Sequence, residues 1–143
     1  MKEGLPKDYL LSMISMAPLY ENTRDMGNSG ERRWVIRHGQ SWPVRALQNG
    51  NYLYCVLPDA EVRISEKPRP ICQIDHAELV HGQDVIAAGL IKINHGIVLT
   101  VSNESGHYNP DSDSIDYAIA AFRLWDIPMD DNLVRDDRWA LFR

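Results

Sequence analysis

The string Asn103-Glu104-Ser105-Gly106-His107-Tyr108-Asn109-Pro110 puts a hydroxyl, an imidazole and a phenol within four consecutive residues. Gly106 permits a sharp turn or the close approach of a ligand, because it carries no Cβ. His107 exchanges a proton near neutral pH without a special environment. Tyr108 can stack on a planar ligand or donate a hydrogen bond. The same residues can also form a purely structural corner, with Ser105 and His107 bonding loop backbone. Both possibilities stay open at the level of the string.

Other chemistry-bearing residues lie elsewhere. Trp34-Val35-Ile36 followed by Arg37-His38-Gly39-Gln40-Ser41 resembles the phosphate-binding signature of histidine phosphatases, where the His is phosphorylated and the Arg grips phosphate oxygens bidentately. His95-Gly96 would supply that family's second histidine. The chain lacks the alternating strand-helix pattern such a fold requires, so this is the third choice. The five histidines, His38, His76, His81, His95 and His107, show no HxH or HExxH spacing, and no metal is expected. Asp111-Ser112-Asp113 starts like a calcium loop. It has no Gly at the sixth position and no Glu at the twelfth, and a helix cap accounts for it better.

The elements that must position these residues follow from periodicity. Leu10, Met13, Ile14 and Ala17 recur at helical spacing within Pro6–Tyr20. A polar stretch with two glycines, 21–31, follows. From residue 32 the period is strand-like. Tyr52, Tyr54 and Val56 should face one way, and Leu53, Cys55 and Leu57 the other. Asn49-Gly50 suggests a hairpin between Pro43–Leu47 and Asn51–Leu57. Val62 and Ile64 share a face of a short strand, 61–65. A second hairpin, 84–93 with 97–102, turns at Asn94-His95-Gly96. Pro110 to Asp113 offer caps for a helix with Ile115, Ala118, Ile119 and Phe122 on one side. The acidic tail from Asp126 is expected to pack back onto the domain. The fold class is α+β: a mainly antiparallel sheet with an N-terminal and a C-terminal helix. Residues 1–31 form a helix and polar linker, and 32–143 a single β-rich domain.

With 143 residues, 44% hydrophobic and 24% charged, the chain has the composition of one ordinary globular domain. Twenty acids against fifteen bases, a net charge of −5, give no sign of a nucleic-acid partner. Cys55 and Cys72 are too few for a disulfide framework. Buried thiols are the simpler account, and a single bridge between them stays open. No apolar stretch is long enough for a membrane span. The expected location is the cytoplasm, with export by a specialised secretion system as the variant.

A longer pattern carries a resemblance. His76-Ala77-Glu78-Leu79-Val80-His81-Gly82 leads through Ala88-Gly89 and a short hairpin to Ser105-Gly106-His107-Tyr108-Asn109-Pro110. This resembles a domain of plant IQ-motif calmodulin-binding proteins and of bacterial effector or toxin-like proteins, over roughly residues 51–125. Ala77 stands where that family often has Ser. The calmodulin-binding IQ helix lies outside the shared domain and has no counterpart here.

The resemblance implies a small effector or toxin enzyme, and a compact β-rich domain with His, Tyr and Glu near a ligand is similar in architecture to NAD-dependent ADP-ribosyltransferases acting on a macromolecular target. In that reading His76 and His107 position groups or move protons, Tyr108 stacks, and Glu78 or Glu104 stabilises positive charge on the ribose. Arg37, His38, Ser105 and Gly106 would hold the substrate, with NAD the candidate. The alternative is a non-catalytic protein-binding module, an adaptor or immunity protein, whose partner is a protein target or cognate protein. Burial discriminates the two: an open cleft at His76, His107 and Tyr108 favours the enzyme, and packed, bonded side chains favour the module.

Overall fold

Strand β2 (Gly50–Val56) sits within the sheet, and its alternation fixes both faces. Tyr52, Tyr54 and Val56 enter one hydrophobic cluster, while Leu53, Cys55 and the following Leu57 enter another. This division follows directly from the period-two geometry of a strand. The computed structural model describes residues 5–23, 34–36, 47–66, 76–105 and 108–137. Around β2 lie β1 (Trp34–Ile36), β3 (Val62–Glu66), β4 (Ala87–Asn94), β5 (Ile97–Ser102) and β6 (Met129–Asp136). The strand order is β1-β3-β2-β4-β5-β6. Every neighbouring pair is antiparallel except β5 and β6, which run parallel. Helices α1 (Lys7–Ser15) and α3 (Ser114–Leu124) and the single turn α2 (His76–Leu79) complete the α+β fold.

Helices α1 and α3 cover one face. Leu10 and Ile14 of α1 meet Ile115, Ala118 and Phe122 of α3 over Tyr54, Val62, Ile64, Ile91 and Val101. The Phe122 ring stands edge-on to Tyr54, with centroids 5.5 Å apart. At the helix ends the Lys7 ammonium donates to the Leu124 carbonyl oxygen and pairs with Asp126 at 3.3 Å. The opposite face carries a smaller cluster: Leu53, Cys55, Leu57, Leu79, Val80, Val85, Ala88 and Tyr108. Among the described residues, no helix is long and apolar enough to cross a membrane.

Several boundaries differ from the sequence reading for physical reasons. Helix α1 stops at Ser15, because Pro18 disfavours the helical conformation at Ala17. Tyr20 instead forms a bridge with Val85, through bonds of 2.8 and 3.0 Å. The strand expected over 84–93 therefore begins at Ala87, opposite Val56 of β2. Tyr52–Val56 of β2 is flanked by β3 and β4, and the other strand of the hairpin expected at Pro43–Leu47 is described only at Leu47. Residues 43–46 lie outside the described residues. The β4–β5 hairpin turns as expected, with His95 at φ 52° and Gly96 at φ 77°. Positive φ at both central residues is the type I′ turn, whose twist matches that of the strands. The Asn49 side chain accepts a hydrogen bond from the His95 amide at 2.7 Å and ties this turn to the start of β2.

The described part of the tail returns to the domain as a strand, and residues 138–143 lie outside the described residues. Met129 and Leu133 of β6 pack against the helix-side core, and Arg135 pairs with Asp116 of α3 at 3.0 Å. Since β5 and β6 are parallel, α3 is the crossover between them.

Candidate functional site

Three segments meet at one end of the sheet: the turn after α2, the middle of β4, and the loop from Asn103 to Pro110. Gly89 is where they touch. A Cβ built on Gly89 would lie 1.9 Å from the Ser102 carbonyl oxygen and 3.0 Å from the Asn103 Cα. Only a glycine lets the chain cross there, which explains a glycine in the interior of a strand. The regular β4–β5 register ends at Ile91 and Val101, and Ser102 takes over with its side chain. Its hydroxyl oxygen accepts from the Leu90 amide at 3.0 Å and from the Glu104 amide at 3.2 Å. Its carbonyl oxygen accepts from the Tyr54 hydroxyl at 2.8 Å. Burial pushes the Tyr54 phenol far above its ordinary pKa, with the neighbouring Cys55 adding to the effect.

His76 opens α2 and is buried. Its Nε2 lies 2.7 Å from the Gly89 carbonyl oxygen. A carbonyl only accepts, so this nitrogen carries the hydrogen and donates it. The His76 carbonyl in turn accepts from the Cys55 thiol at 3.4 Å. One residue therefore clamps α2 to both β2 and β4. Arg63 adds a second tie, donating to the Leu79 carbonyl at 3.2 Å while its Nε pairs with Glu61 at 2.7 Å.

The loop is held in the same way. Tyr108 is 3% exposed, and its hydroxyl donates to the Gln83 carbonyl at 2.6 Å. Ser105 is 1% exposed, and its hydroxyl oxygen accepts from the Tyr108 amide at 3.3 Å. Its carbonyl accepts from the Asn109 amide at 2.8 Å, closing a turn in which Asn109 takes a positive φ of 44°. Asn103 is fully buried and donates from Nδ2 to the Pro110 carbonyl at 3.1 Å. Its Oδ1 and the Ser114 hydroxyl are buried without a hydrogen-bond partner.

Of the residues singled out by sequence, His76, Ser105 and Tyr108 therefore belong to this end of the domain. Each directs a polar atom at main chain. Glu104 is exposed on the loop. Glu78 is placed on α2 by its backbone alone. Arg37, His38, Gly106 and His107 lie outside the described residues. His95 is exposed in the β4–β5 turn. Among the described residues, no three His, Cys, Asp or Glu side chains gather where they could hold a metal ion.

The motif reading gave no site role to Tyr54, Cys55 or Ser102, nor to Gly89 and Asn103, which stood within the patterns it singled out. Gly89 had a usable signal, since an isolated glycine in a strand pattern marks a close backbone approach. Tyr54, Cys55 and Ser102 had none: a buried Tyr and Cys on opposite faces of one strand look like ordinary core.

A search of the curated proteins and one of the solved structures each returned no match. One family model does match, over residues 31–115, a span that opens before β1 and closes in the first turn of α3 and so contains β1 to β5 and the whole junction around Gly89. That span is more than half of the chain, and the chain belongs to the family of the IQ motif-containing protein middle domain.

Proposed function

We propose that this domain is a non-catalytic protein-binding module, and that the Ser105–Pro110 string is the corner that holds it together. The observation that carries this reading is the fate of the reactive side chains. The imidazole hydrogen of His76 and the phenol hydrogen of Tyr108 go to main-chain carbonyls, and the Ser105 hydroxyl oxygen takes a main-chain amide. All three residues are buried. A group that binds substrate has to reach it, and a buried hydrogen bond to backbone commits the group to structure instead. The IQ motif that names the family is not part of this reading.

The competing view, an effector-type enzyme that transfers ADP-ribose from NAD, makes a different forecast. The purified chain and a His76→Ala/His107→Ala variant are incubated with NAD and bacterial lysate, and each is induced in a bacterial host. The module reading expects no NAD consumption above buffer from either protein and equal growth of both hosts. It also expects His76→Ala alone to lower the melting temperature, since it leaves the buried Gly89 carbonyl without its imidazole donor at a cost of about 1–3 kcal/mol. NAD consumption that disappears in a folded double variant would overturn the module and restore the enzyme.

A further inference from the structure

Asn103 and Ser114 are both fully buried, and each holds one polar side-chain atom that meets no hydrogen-bond partner: the Asn103 Oδ1 and the Ser114 hydroxyl. Such atoms are rare in folded proteins, because the water they give up on burial has to be replaced. The two belong to one corner of the fold. The Asn103 Nδ2 donates to the Pro110 carbonyl at 3.1 Å, and Pro110 leads into the turn that opens α3. In that turn the Ser114 amide donates to the Asp111 carbonyl at 2.9 Å, and the Ile115 amide to the Ser112 carbonyl at 3.1 Å. The bond to Pro110 also settles which way the Asn103 side chain faces. A carbonyl only accepts, so the nitrogen lies against Pro110 and the oxygen is the atom left over.

The two orphaned atoms complement each other. A serine hydroxyl can donate and an amide oxygen accepts, yet no direct bond joins them. What satisfies both is a small neutral molecule that donates to one and accepts from the other. An anion at the start of α3 would need the amides of Ser114, Ile115 and Asp116, and each of these already donates to a carbonyl of the turn. A divalent cation would need charged ligands, and among the described residues no three His, Cys, Asp or Glu gather to hold one.

We infer that the junction between the Asn103–Pro110 corner and α3 binds one internal water molecule, which donates to the Asn103 Oδ1 and accepts from the Ser114 hydroxyl. Buried waters sit where they satisfy polar groups that the chain itself leaves unpaired, and they are costly to remove. This one ties the loop beside Gly89 to the first turn of the helix on the other face of the sheet.

The test uses the full chain and its own solvent as the probe. In a crystal structure that shows ordered water, one spherical density peak is expected within about 2.7–3.2 Å of both atoms. In solution, magnetic relaxation dispersion of water oxygen counts the waters held longer than the protein tumbles. Ser114→Val puts methyl groups where the hydroxyl and its water stand, and it should lower that count by one while melting curves show that it folds. A direct bond between Asn103 and Ser114, no density between them, or an unchanged count in folded Ser114→Val would overturn the inference. So would density held at about 2.4 Å by several oxygens, which marks a cation. The crystal experiment needs no variant, so a Ser114→Val chain that fails to fold leaves the inference open to refutation.

Discussion

The two faces of the sheet are lined by the same strands and closed by different means. On one face, two helices lay continuous apolar stripes over Tyr54, Val62, Ile64 and Ile91, and the contact is nearly all hydrocarbon. A helix satisfies its own backbone, so it can be set on a sheet with no polar ties. On the other face, a single turn of helix and two loops cover Leu53, Cys55 and Ala88. Loops bring main-chain carbonyls that cannot pair among themselves, and each one buried needs a donor. His76 and Tyr108 donate to Gly89 of β4 and to Gln83 in the turn after α2, and Arg63 and Cys55 donate to Leu79 and His76 of the single helical turn, whose carbonyls have no partners of their own within it. The lesson is that an unusual density of His, Tyr and Cys can come from the need to bury loops. Coverage also stops partway: toward the β4–β5 turn, Asn51 and Lys92 are exposed.

The comparison breaks most completely at Gly89, where both faces depend on one crossing. Gly89→Ala should prevent folding or cost more than about 3 kcal/mol, because the methyl would meet backbone and not a mobile side chain. Urea denaturation measures it, and a loss under about 1 kcal/mol would show that the corner can move aside. On the helix face, Phe122→Ala should cost about 3–5 kcal/mol as a large ring leaves a closed core. On the loop face, Tyr108→Phe should cost only about 1 kcal/mol, one hydrogen bond, with hydrogen exchange rising locally around residues 80–85. Similar losses in Phe122→Ala and Tyr108→Phe would dissolve the contrast.

Tyr54 sharpens the same point through pH. Its phenol is held neutral by burial in the folded chain, whereas in the unfolded chain it ionises near pH 10. Stability is therefore unaffected by this group below about pH 10. It falls as pH rises further, because the unfolded chain then gives up a proton that the folded chain keeps. In Tyr54→Phe that part of the alkaline slope, at most about 1.4 kcal/mol per pH unit, should vanish. An unchanged slope between pH 9 and 11 would show that Tyr54 is not the group responsible.

How much of this was legible in the sequence depends on the element. The division of β2 between two faces, the β4–β5 hairpin and α3 follow from period and turn chemistry, which are local. Strand β6 was not legible as a strand, because MDDNLVRD has no regular alternation and only Met129 and Leu133 turn to the core. Its pairing is a consequence of where α3 delivers the chain. The string Ser105–Tyr108 marked the right end of the molecule, and the use of its side chains did not follow from it. Whether a serine or tyrosine hydroxyl meets a ligand or a carbonyl is settled by chain segments distant in sequence, such as Gln83 for Tyr108.

The parallel seam between β5 and β6 bears on how the protein survives handling. Strand β5 reads Ile-Val-Leu-Thr-Val-Ser, six residues rich in β-branching and without a charge. Such a segment with an open edge is the kind that seeds cross-β stacking. Here the open edge is sealed by β6, and the sheet shows solvent its aspartates instead. A proteolytic cut in the connection after α3, at 125–128, would release that seal and leave most of the core standing. The expected product is a fragment that still folds and then precipitates, so the first visible sign of damage to this domain would be turbidity and not unfolding.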